Sequence, residues 1–314
     1  MTLWRLSQKI VAARPRGLKP AARFDIGKGP YLQRLRRWMI RRLISLKIGM
    51  ACWAWMRIVE VLRGLAGGRD RDECVVLYYH GVSDKQVGRF RRQMEWLAVH
   101  TTVVPLSQTA ESGKGRRTCL TFDDGLDSVR RNALPVLREL RLPATIFVVP
   151  GNLGRKPAWP IPPENPEGHE VLSSPEQLLE FPADLMEIGS HTMTHPNLRE
   201  ISEGEAQREL VASRGMLEKL LARPVLSFAV PFGECHAGTL ALAGEAGYRS
   251  AVTCEPRPVR PGDSLIGAGR FKVTPDDWML EFALKAVGAY RWRRLWRRLR
   301  GETGMSAPER RSWK

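Results

Sequence analysis

The sequence predicts an α/β protein built on a parallel sheet, open or closed into a barrel, with basic helical extensions at both ends. Two observations carry this. From Cys74 onward, short apolar runs rich in β-branched and aromatic residues alternate with longer helix-like stretches, and no internal repeat is visible. Formal charge is also segregated along the chain. Residues 1–70 carry 16 Lys/Arg against 3 Asp/Glu and residues 285–314 carry 10 against 2, so the ends hold +21 of the net +17 and residues 71–284 hold −4. The chain therefore reads as three parts, 1–70, 71–284 and 285–314. With 314 residues, 43% apolar and 26% charged, it can bury a sizeable core and falls outside the disordered class.

In the first part, about 37 mostly polar and basic residues precede the apolar run Met39–Leu65, which is too long for the leading region of a secretory signal. Arg41, Arg42, Lys47, Arg57, Glu60 and Arg63 interrupt that run, and only nine charge-free residues separate Lys47 from Arg57. A spanning helix needs roughly 20 apolar residues, whereas a helix lying in the membrane interface tolerates such charges.

In the second part, the expected strands are Cys74–Tyr79, Thr118–Phe122, Ala144–Val149, Met186–Ser190, Leu226–Val230 and Tyr248–Thr253. Helix-like stretches lie near Val87–His100, Asp127–Leu140, Pro175–Phe181, Glu203–Leu221 and Ala237–Ala246. A last helix is expected from Pro275-Asp276-Asp277, with acids in its first turn. The Pro-rich stretch Gly154–Gly168 is an excursion that can border a groove. In the third part, Trp292, Leu295, Trp296 and Leu299 fall on one helical face and arginines fill the others. A basic helix with tryptophan on its apolar side suits anionic head groups. No nucleic-acid reading module accompanies the charge.

Five cysteines (Cys52, Cys74, Cys119, Cys235, Cys254) without a C-x-x-C pair exclude a disulfide scaffold and a zinc ribbon, and favour a reducing compartment. Together with the basic ends and the lack of a recognisable signal, they point to the cytoplasm, at the inner face of the membrane.

Polar residues gather at the ends of the expected strands. Tyr79-His80-Gly81 ends the first, Asp123-Asp124-Gly125 the second, His191-Thr192-Met193-Thr194-His195-Pro196 the fourth, and Pro231-Phe232-Gly233 the fifth. The C-terminal ends of parallel strands form one face, where active sites are built. Asp124, His191 and His195 make a two-histidine, one-carboxylate set suited to a hydrolytic metal with open positions for water and substrate. A turn at Gly125 would let both aspartates reach one pocket, one binding the cation and the other accepting a proton. An Asp-Asp-Gly turn or a spaced His pair alone would be unremarkable; their joint appearance at strand ends is what argues for chemistry.

These residues carry a resemblance. Thr121-Phe122-Asp123-Asp124-Gly125 and His191–Pro196 resemble the first two motifs of the polysaccharide deacetylase family, also called carbohydrate esterase family four or the NodB-homology domain, over roughly Cys74–Tyr290. The resemblance implies a distorted (β/α) barrel of about seven strands and a metal-dependent hydrolase, commonly with zinc, that removes acetyl groups from sugars. It implies Asp123 as catalytic base and Asp124, His191 and His195 as metal ligands. Phe228–Gly233 resembles the third motif, with Pro231, Phe232 and Gly233 near the substrate, but Ala229 and Val230 stand where many members have an arginine before the Pro-aromatic pair. Arg270 is the candidate to orient Asp123 instead. No histidine follows His236, so the family's late histidine motif is absent. A subgroup with an early Tyr-His motif implies His80 as the acid, with His236 as a rival; His100 and His169 have no supporting context. The implied substrate is an N-acetylated glycan or a lipid-linked aminosugar. Removal of a formyl or other N-acyl group, and a catalytically silent carbohydrate-binding relative, are the alternatives.

Overall fold

The computed structural model describes residues 30–65, 72–233, 235 and 237–299. Its strands are β1 (Cys74–Tyr79), β2 (Thr102–Val103), β3 (Arg117–Phe122), β4 (Ala144–Val148), β5 (Met186–Ser190), β6 (Ser227–Ala229), β7 (Ser250–Val252), β8 (Ile266–Ala268) and β9 (Phe271–Lys272). Its helices are α1 (Pro30–Leu65), α2 (Val87–His100), α3 (Leu134–Leu140), α4 (Pro175–Leu178), α5 (Glu203–Leu221), α6 (Ala237–Glu245), α7 (Met279–Ala286) and α8 (Trp292–Leu299).

Every pairing between these strands is parallel. The order is β8-β7-β6-β5-β4-β3-β1-β9, with β2 added on β3. The two terminal strands belong to one stretch, Ile266–Lys272: Ile266 and Ala268 pair with β7, and Phe271 and Lys272 pair with β1. The sheet thus curls until this stretch bridges its ends, giving a distorted (β/α) barrel of seven staves. The break between β8 and β9 leaves Gly269 and Arg270 at the seam.

Period-2 alternation sorts the side chains into two layers. Val75, Leu77 and Tyr79 of β1, Leu120 and Phe122 of β3, and Ile146 and Val148 of β4 join the large core under the helices. Phe90, Met94 and Leu97 of α2 and Leu210 and Leu217 of α5 cover them. Cys74, Val76, Cys119, Phe147, Ala229 and Val252 form the smaller inner cluster. Buried on both faces, β1 and β3 read as nearly continuous apolar runs, as parallel strands do.

Several expectations need correction. The last helix starts at Met279, not near Pro275, because the Asp277 carboxylate accepts from the Thr274 backbone N–H (3.1 Å) and from Lys285 Nζ (2.7 Å), closing a turn before the helix. The expected helix over Asp127–Leu140 begins as a π-turn, Val129–Ala133, and becomes α-helical only with Pro135 in its first turn. The helix at Pro175 ends at Leu178. The short strands β2, β8 and β9 escape the sequence pattern; in β8 and at the seam after it, Gly267 and Gly269 break the apolar run.

Among the described residues, the chain divides into two units with the boundary between Ser45 and Leu46. Within the second, the C-terminal half of α1 packs on the body. Gly49 lies so close to Tyr290 that a Cβ there would sit 2.8 Å from its ring. The expected extensions 1–70 and 285–314 fall partly outside the described residues.

Candidate active site

The inner alternation of β3 runs Cys119, Thr121, Asp123, so a regular strand would point Asp124 outward. The backbone prevents this. Asp124 has φ 70° and Gly125 φ 76°, and this left-handed turn brings Asp124 to the same cavity as Asp123. Gly125 has no alternative: beyond the positive φ, a Cβ there would lie 2.9 Å from Val148 Cγ1. Thr192 (φ 66°), His195 (φ 63°) and Phe232 (φ 57°) are also left-handed. Such strain in non-glycine residues costs of order 1–3 kcal/mol each and clusters where function requires it.

The histidine loop is held from below. The Glu209 carboxylate of α5 accepts from the backbone N–H of Met193 (2.8 Å) and Thr194 (2.9 Å) and from the Thr194 hydroxyl (2.8 Å). The Thr192 hydroxyl accepts from the His195 N–H (3.0 Å). The His195 ring is stacked on Trp159 (4.2 Å between centroids, 25°) and meets Phe232 edge-on (4.7 Å, 72°).

Asp124, His191 and His195 are all buried, and each offers a ligand atom within 4.8 Å of the others. His191 Nε2 lies 3.5 Å and His195 Nε2 3.4 Å from the same Asp124 oxygen, Oδ1. His191 Nδ1 sits 2.8 Å from the Ala229 carbonyl, so Nδ1 carries the proton and Nε2 presents a lone pair to the carboxylate. Burial pulls the His191 imidazole down to about 4, against the pull of Asp123, so it is neutral at pH 7. A neutral imidazole lone pair facing a carboxylate oxygen is repulsive unless a cation lies between them. The donor set therefore fits a divalent metal, with Nδ1 of His191 anchored as such ligands require.

Asp123 stands apart from this trio. Arg270, fully buried at the seam between β8 and β9, grips it bidentately: Nη1 donates to Oδ1 (2.7 Å) and Nη2 to Oδ2 (2.9 Å). Nη1 also donates to Thr121 Oγ1 (3.1 Å) and Nε to the Thr253 carbonyl (3.2 Å), while the guanidinium lies over the Tyr78 ring. Burial pushes the Asp123 carboxyl up, but the Arg270 charge, with His191, the Arg270 hydrogen bonds and His80, outweighs it and holds the group below the usual carboxylate range. Asp124 is likewise pushed up by burial and pulled below that range by His195, His80 and His191 around it.

A cavity of about 130 Å³ opens on these groups; Asp123, Asp124, His191, His195, His80, Phe232 and Gly233 all line it. Gly233 (φ 67°) is pressed against Cys254, where a Cβ would meet the cysteine Cβ at 2.5 Å. Pro231 is buried and does not itself face the cavity. His236 lies outside the described residues. The Pro-rich excursion supplies Trp159 to Pro162, Asn165 and Glu167, bordering the groove as expected. Sequence reasoning missed Trp159, Glu209, Lys272 and Arg297 individually. Only the Pro-rich composition around Trp159 pointed toward the site.

A strand-end cavity that sets a carboxylate–imidazole group able to hold a divalent cation beside a separate, arginine-paired acid is an arrangement suited to metal-assisted hydrolysis. The polysaccharide deacetylase family model matches residues 110–251 of the chain. The Bacillus subtilis protein YxkH, whose name assigns it to the polysaccharide deacetylases, is 26% identical over 227 residues, covering 68% of this chain and 75% of its own length. The poly-β-1,6-N-acetyl-D-glucosamine N-deacetylase of Staphylococcus aureus (strain MRSA252) is 25% identical over 211 residues, covering 63% of this chain and 69% of its own. Among solved structures, IcaB from Ammonifex degensii superposes with a TM-score of 0.57 at 27% identity, covering 68% of this chain and 97% of that one.

Proposed function

We propose that this protein is a hydrolase that removes N-acetyl groups from an aminosugar in a glycan. The observation that carries this reading is the buried set of Asp124, His191 and His195 beside a separate carboxylate, Asp123, that is held off the ligand set by Arg270. The relatives named for N-deacetylation of a glucosamine polymer support the substrate class. Two imidazoles and one carboxylate suit zinc. When bound, such a cation polarises the acetamide carbonyl and lowers the pKa of the attacking water.

The chain's own residues supply the rest. Asp123 accepts the proton of the attacking water. Arg270 occupies one lone pair on each of its oxygens and leaves the others free, and it fixes the plane of the carboxylate. His80, on the cavity wall beyond β1, donates a proton to the departing nitrogen. A backbone N–H near Gly125 or Phe232 faces the oxyanion that develops on the carbonyl. The products are acetate and a free amine. The test is acetate release from N-acetylated oligosaccharides by the purified, zinc-loaded protein; no acetate from any glucosamine oligomer, with zinc bound, would contradict the reading.

The same protein is proposed to work at the anionic inner face of the cell membrane, on a nascent glycan or a lipid-linked aminosugar. From Leu46 onward α1 turns Gly49 and Met56 inward and leaves Ile48, Met50, Trp55, Ile58, Val61, Leu62 and Leu65 exposed, with Lys47, Arg57 and Arg63 among them. On α8, Leu295, Trp296 and Leu299 are exposed beside arginines. No described helix is long and apolar enough to cross a membrane. Apolar faces edged by cations match an anionic lipid surface, whereas a second copy would set like charges against each other. In a flotation assay, the full chain should rise with vesicles containing anionic lipid, and Trp55→Ser with Leu62→Ser should weaken this. Equal recovery with neutral and anionic vesicles would count against it.

A further inference from the structure

We propose that Arg257, Arg260, Arg291 and Arg294 build a second binding pocket, outside the catalytic cavity, that takes a phosphate ester. The ester is either the head group of a lipid or a soluble molecule. The pocket goes beyond the deacetylase reading and does not depend on it.

The pocket encloses about 410 Å³ and shares no lining residue with the catalytic cavity. Two of its arginines come from the loop between β7 and β8. That loop is pinned at Val259, which exchanges backbone hydrogen bonds with Cys74 at the start of β1 (2.8 and 2.9 Å). Arg257 and Arg260 flank the pinned point, and the buried Pro256 and Pro258 stiffen the wall. The other two arginines come from the turn before α8 and from α8 itself. Arg291 Nε donates to the Gly288 carbonyl (2.9 Å) and its Nη2 to Glu73 (2.7 Å), while Arg294 Nε donates to Glu255.

The acids around the pocket orient these arginines without using up their donors. Arg257 is the most fully tied, to Asp263 (3.4 Å) and to the Gly267 carbonyl (3.1 Å). Arg260 and Arg294 are held through Nε alone, and Arg291 through Nε and Nη2. Among the described residues, both terminal nitrogens of Arg260 and Arg294 and Nη1 of Arg291 therefore make no hydrogen bond. Glu73 serves Arg260 and Arg291 together, so four guanidinium groups stand against three carboxylates there. A phosphate has enough anionic oxygens to meet several guanidinium edges at once, and edges already fixed by a carboxylate lose little freedom in meeting it. Leu295 lines the same pocket and is exposed on α8 with Trp296 and Leu299. A phosphate seated among the arginines thus has an apolar surface beside it on which an acyl chain can lie.

The experiment titrates inorganic phosphate and glycerol 3-phosphate into the full chain by calorimetry, in the wild type, Arg260→Gln and Arg294→Gln. Neither arginine lines the catalytic cavity, so phosphate held there affects all three proteins alike. Affinity should fall about tenfold in each variant, as expected for one charge-assisted partner removed. Flotation with vesicles carrying phosphatidic acid, and with vesicles given the same surface charge by a fatty acid, separates the two sources. A preference for phosphatidic acid that both variants lose supports the pocket and assigns it to a lipid head group. Equal recovery on the two vesicles, with soluble phosphate affinity still falling in the variants, supports it and assigns it to a soluble ester. Phosphate affinity and vesicle preference that are both unchanged in Arg260→Gln and Arg294→Gln overturn it. Arg260 is 68% exposed, so its replacement leaves the fold intact and the result readable even if Arg294→Gln unfolds.

Discussion

Asp123→Asn should keep its cation and lose turnover. The substitution preserves shape and leaves Asp124, His191 and His195 intact, so zinc content should match the wild type. The amide cannot take a proton from water, and kcat should fall by roughly 10²–10⁴, the range that general-base catalysis contributes. Elemental analysis and acetate release on one preparation separate the two roles. A variant with normal zinc and a normal rate would remove Asp123 from the chemistry. A variant that loses zinc would make Asp123 a ligand.

Arg270→Gln should be the most destabilising single change near the site. It leaves the Asp123 carboxylate buried without its charge partner, a change that typically costs about 3–5 kcal/mol, measurable by denaturant unfolding at pH 7. The sign with pH follows from the pairing. The folded Asp123 group titrates below its unfolded value near 4, so the pair stabilises the fold above that pH. Its contribution is lost as pH falls through the lower folded value. In Arg270→Gln burial acts with less opposition and the folded group titrates higher, so the deficit against the wild type is largest where the carboxylate is charged and shrinks as the pH falls and the group is protonated. Arg270→Gln/Asp123→Asn, which removes the charge from both partners, should recover part of the deficit. Identical unfolding of Arg270→Gln and the wild type would mean the pair contributes nothing.

The parts of this site legible in the sequence are those whose chemistry is local. Asp123-Asp124-Gly125 announces a strand end and a turn, and the left-handed φ at Asp124 and Gly125 is what lets neighbouring carboxylates share a cavity. His191 and His195 sit close enough in sequence for one loop to gather both. His80 and Arg270 had weaker warrants, one from a motif resemblance and the other from a missing arginine in the third motif. An exposed strand edge is the ordinary place for an arginine. Arg270 is instead enclosed because the stretch around it closes the barrel, and a closure made by two- and three-residue strands leaves no periodic signature. Trp159, Glu209 and Arg297 reach the site through tertiary packing of a Pro-rich loop, a helix face and a C-terminal helix. The sequence neighbourhood of each describes its own element and says nothing of what lies across from it. Helix α7 starts later than its sequence predicts for a related reason: Asp277 has the look of a first-turn acid, but its carboxylate is claimed by Lys285, about two turns on.

The measurement that bears most directly on the account is the metal content and ligand environment of the purified chain, by elemental analysis and X-ray absorption, in the wild type and in His191→Ala. The expected result is one divalent ion per chain bound by two imidazole nitrogens and a carboxylate oxygen, lost together with acetate release when His191 is replaced. A wild-type chain that releases acetate at full rate with no divalent ion bound, or one whose ion and coordination are unchanged in His191→Ala, would contradict it.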